Sequence, residues 1–147
     1  MISTDKRRKL CNALLVCNLT FIWGNSLLPG ELSGAISDWA KALLANLLPV
    51  GEPGESGGFL IRKLAHFTEF AALGALLSWH FGMRHKKKAL PLICGIAAAC
   101  IDETIQMFVP DRGPGIRDVL IDSCGVITGM LLLFGGHTLC KKKLSDH

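Results

Sequence analysis

The sequence predicts an all-α integral membrane protein: four transmembrane helices, with an extracellular amphipathic helix between spans one and two. Three observations predict it. Half of the 147 residues are hydrophobic and mean hydropathy is +0.38, while 19% are charged, against about a quarter in water-soluble domains. Four apolar runs are long enough to cross roughly 30 Å of hydrocarbon at about 1.5 Å per residue. Clusters of one charge sign alternate along the chain as four crossings require.

The first run, residues 10–28, follows a basic tail of Lys6, Arg7, Arg8 and Lys9. Signal peptides also begin this way, but Trp23-Gly24-Asn25-Ser26 lacks a small-x-small cleavage pattern, so a retained span is expected. Pro29-Gly30 and Pro53-Gly54 are turn signals around the longest non-spanning segment. Between them Ile36, Trp39, Leu43 and Leu47 recur at steps of three and four, as on one helix face. Ser33 or Ser37 is placed to cap that helix. The segment is too interrupted to span, and is expected to lie at the interface or pack on the bundle. The second span, residues 59–81, is polar at its start and apolar after Phe70. A basic turn with Arg84, His85, Lys86, Lys87 and Lys88 leads to the third, residues 89–109, apolar until Asp102. A tight loop from Pro110 to Arg117 leads to the fourth, residues 118–139, ended by Lys141, Lys142 and Lys143. The length suits one domain, residues 1–147. Trp23, Trp39 and Trp79 fall near run ends, where indoles favour the membrane interface.

With four spans, the tail, the basic turn and the C-terminus share one side. They hold most of the 16 Lys and Arg residues, so the positive-inside rule makes both termini cytoplasmic in a multi-pass protein of the cell membrane. The segment with Glu31, Asp38, Glu52 and Glu55 against Lys41 lies outside. Because the basic residues sit beside apolar runs rather than on a polar domain, membrane lipids and not nucleic acid are the expected partners. Cys11, Cys17, Cys94, Cys100, Cys124 and Cys140 form no C-x-x-C pair and read as small apolar side chains, not as disulfides or a zinc site.

This topology puts every costly residue in the outer leaflet. Lys63, His66 and Glu69 lie in the outer half of span two, Asp102, Glu103 and Gln106 in that of span three, and Asp118 and Asp122 in that of span four. Each ionisable group inside a bilayer costs roughly 2.5–3.5 kcal/mol on insertion scales, which makes such a cluster a candidate site. Lys63, His66 and Phe70 share a helix face, and Glu69 is within hydrogen-bonding reach of His66. Asp118, Asp122, Gly125 and Gly129 share another, and Gly125-x-x-x-Gly129 permits close helix approach, as Gly74 does on span two.

Three chemistries fit. His66, Glu69, Asp102 and Glu103 can act as acid–base groups. The same four can hold a divalent metal, although no H-E-x-x-H spacing supports it and no metal or other cofactor is expected. Lys63, Arg112 and Arg117 can cradle a phosphate or carboxylate, with His66 as donor; Gln106, Asp118 and Asp122 are further ligand-binding candidates. A purely structural network also fits: Lys63 paired with Glu103, Arg112 or Arg117 paired with Asp118, and Arg62 and Lys63 snorkelling to the interface. No nucleophile elbow, Walker loop or zinc pattern occurs, so an enzyme class is not assigned.

In order along the chain, four pieces resemble the VanZ-like family of bacterial membrane proteins. They are Asn25-Ser26 with Pro29 and Ser33; Lys63-x-x-His66-Phe67-x-Glu69-Phe70 with Leu73-Gly74; Asp102-Glu103-x-x-Gln106-x-Phe108 with Pro110 and Arg112; and Asp118-Val119-x-x-Asp122-x-x-Gly125-x-x-x-Gly129. Two positions depart from the family pattern: Asp122 stands where Asn is usual, and Phe70 where Tyr is common. The resemblance implies a cell-envelope role connected with resistance to glycopeptide and lipoglycopeptide antibiotics of the teicoplanin type. Access or binding of the antibiotic, or of a lipid-linked cell-wall precursor, would be altered at the cell surface. The alternative is an intramembrane enzyme acting on an anionic lipid-linked envelope substrate.

Overall fold

The computed structural model describes residues 3–47, 57–84, 87, 89–112 and 115–145. Among them the chain forms five helices and no strand: α1 (Thr4–Ser26), α2 (Gly30–Leu47), α3 (Gly57–Gly82), α4 (Leu90–Gln106) and α5 (Ile116–Ser145). Helix α1 takes the basic tail into its first turns, because lysine and arginine are good helix formers. It ends at Ser26, and Pro29 excludes a helical conformation for the residue before it. The chain then bends by 110° into α2.

The caps expected from Ser33 and Ser37 are not formed. Helix α2 starts earlier, at Gly30, and the Pro29 carbonyl accepts from Ser33 N at 3.0 Å. Both serines lie buried inside the helix, and Ser37 Oγ donates to Ser33 O at 2.9 Å. The root of α2 is also fastened. Gly30 N donates to Pro110 O at 3.2 Å, and a Cβ at Gly30 would fall on the Asp111 backbone. Asp111 has φ 58°, the left-handed conformation that aspartate tolerates better than most residues. Helix α2 packs on α3, but its Leu32, Ile36, Trp39 and Leu43 are exposed. The predicted apolar face therefore points away from the bundle. If it faces lipid, Trp39, at 68% exposure, is the indole that brominated phospholipids will quench in a W23F/W79F background, and a water-soluble quencher will reach it poorly. The opposite ranking would place α2 in water.

Helix α3 is the central element, packed against each of the other four. Phe70, Leu73 and Leu77 on α3 meet Cys11, Leu15 and Ile22 of α1, Ala98 and Ala99 of α4, and Val126 of α5. The widest interface is α3 with α5, and small residues make it. Added Cβ atoms at Gly125 and Gly129 would strike the backbone of Phe67 and of Ala71, and one at Gly74 would strike that of Val126. The expected close approach is thus present. Pro91 sits in the first turn of α4, where its missing N–H costs nothing.

Large apolar side chains of α1, α3, α4 and α5, among them Phe21, Leu64, Ile96 and Leu131, are exposed, whereas His66, Asp102, Glu103, Gln106 and Asp122 are buried. So broad an apolar exterior around a buried polar cluster is unusual for a water-soluble domain. By length and apolarity alone, however, only the Ile116–Gly135 part of α5 qualifies as a span among the described residues, joined at most by the bent α1–α2 pair. Helix α3 carries Lys63, His66, Glu69 and His80, and α4 is 17 residues long with Asp102 and Glu103 near its end. The residues that build the polar cluster are the ones that interrupt these hydrocarbon runs. The Pro53-Gly54 turn, Glu52, Glu55, His85, Lys86 and Lys88 lie outside the described residues, as do the side chains of Lys41, Leu47, Cys140 and Lys141 to Lys143.

Candidate functional site

The polar residues of α1, α3, α4 and α5 meet at one end of the bundle, where α1 and α4 finish and α3 and α5 begin. Asp102 is the hub. It is completely buried and accepts from Ser26 Oγ at 2.6 Å through Oδ1 and from Gln106 Nε2 at 2.7 Å through Oδ2. Gln106 Nε2 also reaches Ser26 Oγ at 3.2 Å. Charge-assisted hydrogen bonds of this length fix a carboxylate's orientation. His66 Nδ1 lies 4.0 Å from Asp102 Oδ2 and has no hydrogen-bond partner among the described residues.

The expected pairings are partly rearranged. Glu69 accepts from Asn25 Nδ2 at 3.2 Å, on the neighbouring helix, rather than serving His66 one turn away. Lys63 pairs with Asp118 instead of Glu103, and Glu103 Oε1 accepts from the backbone N–H of Gly115. Glu69 thus takes a partner on another helix instead of the one its spacing suggested, and Lys63 and Glu103, expected to pair across α3 and α4, each take a partner at the start of α5 or just before it. Arg112 does not engage Asp118. Its guanidinium donates to Ser26 O at 3.4 Å and to Asn25 O at 3.3 Å, covering the open carbonyls at the end of α1. Burial first, and the nearby Arg62 next, pull the Arg112 pKa below its usual value; a guanidinium starts so high that it stays charged at neutral pH.

A cavity of about 70 Å³ opens among these groups, lined by Arg62, Lys63, His66, Gln106, Asp111, Arg112, Asp118, Ile121 and Asp122. Of the ten candidates named from sequence, six line it. Glu69, Asp102 and Glu103 are not on its wall, although Asp102 lies directly beside His66, and Arg117 is exposed outside it. Arg62, expected at the interface, is on the cavity wall. Asn25 and Ser26 were not among the candidates, although they open the first family-like piece of sequence. Their chemistry is invisible until the end of α1 is set beside α3 and α4. His66, Asp102 and Asp122 each offer a ligand atom, all within 4.8 Å of one another. The absence of metal-ligand spacing does not bear on this trio, because its members come from three different helices.

No curated protein and no solved structure matches the chain significantly. A protein-family model, VanZ/LLP1, does match, over residues 11–139. The match runs through all five helices and takes in every residue of the cluster just described, and on it the chain belongs to the VanZ/LLP1 family.

Proposed function

We propose that this is a four-span protein of the cell envelope with both termini in the cytoplasm. Its outward-facing cavity binds anionic, lipid-bearing surface molecules, either a teicoplanin-type lipoglycopeptide or the lipid-linked cell-wall precursor beside which such an antibiotic works. Binding there lowers the antibiotic's access to its target. The observation that carries the reading is the distribution of charge along the bundle. At one end the cavity mixes Arg62, Lys63, His66 and Arg112 with Asp111, Asp118 and Asp122, whereas the net-basic N-terminal tail and the Arg84 turn lie at the other. Positive-inside orientation then directs the cavity outward, and its cations suit phosphate or carboxylate oxygens. Membership of a membrane-associated family whose name is tied to teicoplanin resistance supports it.

A second reading is an intramembrane enzyme on the same class of anionic lipid. The unpartnered His66 Nδ1 beside Asp102 favours it, since that nitrogen is placed to exchange a proton. One experiment tests both readings. Cells with no protein, wild type, His66→Ala and Glu103→Gln, at matched membrane abundance, are compared for lipoglycopeptide susceptibility and envelope lipid composition. A wild-type decrease in susceptibility that both variants abolish is the expected result. An accompanying change in one lipid species selects the enzyme. Variants indistinguishable from wild type would reduce the cluster to helix packing.

A further inference from the structure

We infer that His66, Asp102 and Asp122 form a binding site for one divalent cation of the zinc or manganese type. The inference deepens the reading above, because it names a resident ion for the same cavity; it shares the His66 Nδ1 observation with that reading and adds the convergence of three helices and the unpaired Asp122 Oδ1.

The first is geometry. Helices α3, α4 and α5 each send one ligand atom to a common point, with all three within 4.8 Å of one another. Ligand atoms on a tetrahedral ion with bonds of about 2.0–2.2 Å lie about 3.3–3.6 Å apart, so closure asks each side chain to move by about an ångström or less.

The second is unused bonding capacity. His66 is 7% exposed and Asp122 is 2% exposed, and both face the cavity. His66 Nδ1 and Asp122 Oδ1 nevertheless have no hydrogen-bond partner among the described residues. A buried polar atom without a partner costs about 1–3 kcal/mol, so two on one wall indicate a missing ligand.

The third is support around the ligands. Ser26 and Gln106 hold the Asp102 carboxylate from behind, the arrangement by which metal ligands are oriented. Each oxygen of Asp102 keeps a lone pair for an ion.

Charge and size agree. Two carboxylates and one neutral imidazole balance a dication, and one nitrogen with two oxygens suits zinc or manganese better than the all-oxygen preference of calcium. The cavity, at about 70 Å³, is several times the roughly 10–15 Å³ that a single water needs. Positions on the ion facing that space would be open to water or to an anionic oxygen, beside Lys63 and Arg112.

The test uses the full chain, purified in detergent and stripped with chelator. Zn²⁺ uptake is measured by equilibrium dialysis and Mn²⁺ uptake by electron paramagnetic resonance. The expected result is saturable binding of one ion per chain, lost in Asp122→Asn and His66→Ala. Ser26→Ala, which touches no ion, should weaken it by about 10- to 100-fold by freeing Asp102. Asp122→Asn preserves side-chain volume; should either ligand variant fail to fold, Ser26→Ala decides alone. No saturable uptake of either metal, or uptake that these variants leave unchanged, overturns the inference. The two proposals fail separately. Stoichiometric metal without any effect on susceptibility removes the functional reading alone, and His66-dependent susceptibility in a protein that binds no metal removes this one alone.

Discussion

Gly129→Leu will yield no folded protein. The Cβ that any other residue brings to position 129 falls on the Ala71 carbonyl and close to Ala75 N, which are backbone atoms of α3. Backbone cannot rotate aside as a side chain can, so α3 and α5 must separate. This is the broadest interface in the bundle, and Gly74 and Gly125 are built into it by the same close approach. Overpacking a filled interior costs about 1–3 kcal/mol and sometimes more. Gly129→Ala is expected near the top of that range, and leucine, with three further carbons, well beyond it. The check is the monodisperse fraction on gel filtration in detergent, with the thermal aggregation midpoint for any variant that survives. Gly24→Ala and Gly34→Ala are the controls: apart from its own stretch of helix backbone, neither position has an atom of the described residues within 4 Å of the new methyl, and helical propensity favours alanine there by about 0.5–1 kcal/mol. If Gly129→Ala melts with these controls, the close packing of α3 on α5 is wrong.

Asp102→Ala is expected to have the next largest effect. It removes the acceptor of Ser26 Oγ and one of the two acceptors of Gln106 Nε2 at a site with no exposure, and it leaves a void behind His66. Each orphaned buried donor costs about 1–3 kcal/mol, so the loss should reach about 3 kcal/mol or more. Asp102→Asn retains the shape and one acceptor oxygen and should be clearly milder. The measurement is the aggregation midpoint of both variants against wild type, with susceptibility recorded beside it. A stable Asp102→Ala protein would show that Ser26 and Gln106 find other partners, and Asp102 would cease to be the hub.

Much of this arrangement is legible in the sequence, because topology multiplies weak local signals. Lys63, Asp102 and Asp118 each look misplaced in an apolar run, and counting crossings puts all three at one depth; the structure brings them to one end of the bundle. The glycines of α5 and Gly74 were readable because close helix approach leaves no other residue type. Partner choice was not readable. Glu69 turns to Asn25, Lys63 to Asp118 and Glu103 to the Gly115 backbone, since helix rotation and depth decide contacts that spacing within one helix cannot. Arg117 was included for its charge, but it begins α5 on the exposed side. The start of α2 was misread for a local reason: Pro29 starts the helix before either serine can cap it.

The fastening of Gly30 to the loop of Pro110 and Asp111 has a mechanical consequence. Directly after Asp111 stands Arg112, which is itself tied to the carbonyls that end α1. The root of α2 is thus tied through Pro110 and Asp111 to the cavity wall, and Arg112 ties the same loop to the end of α1, so any displacement of that root must be shared by the cavity and by α1.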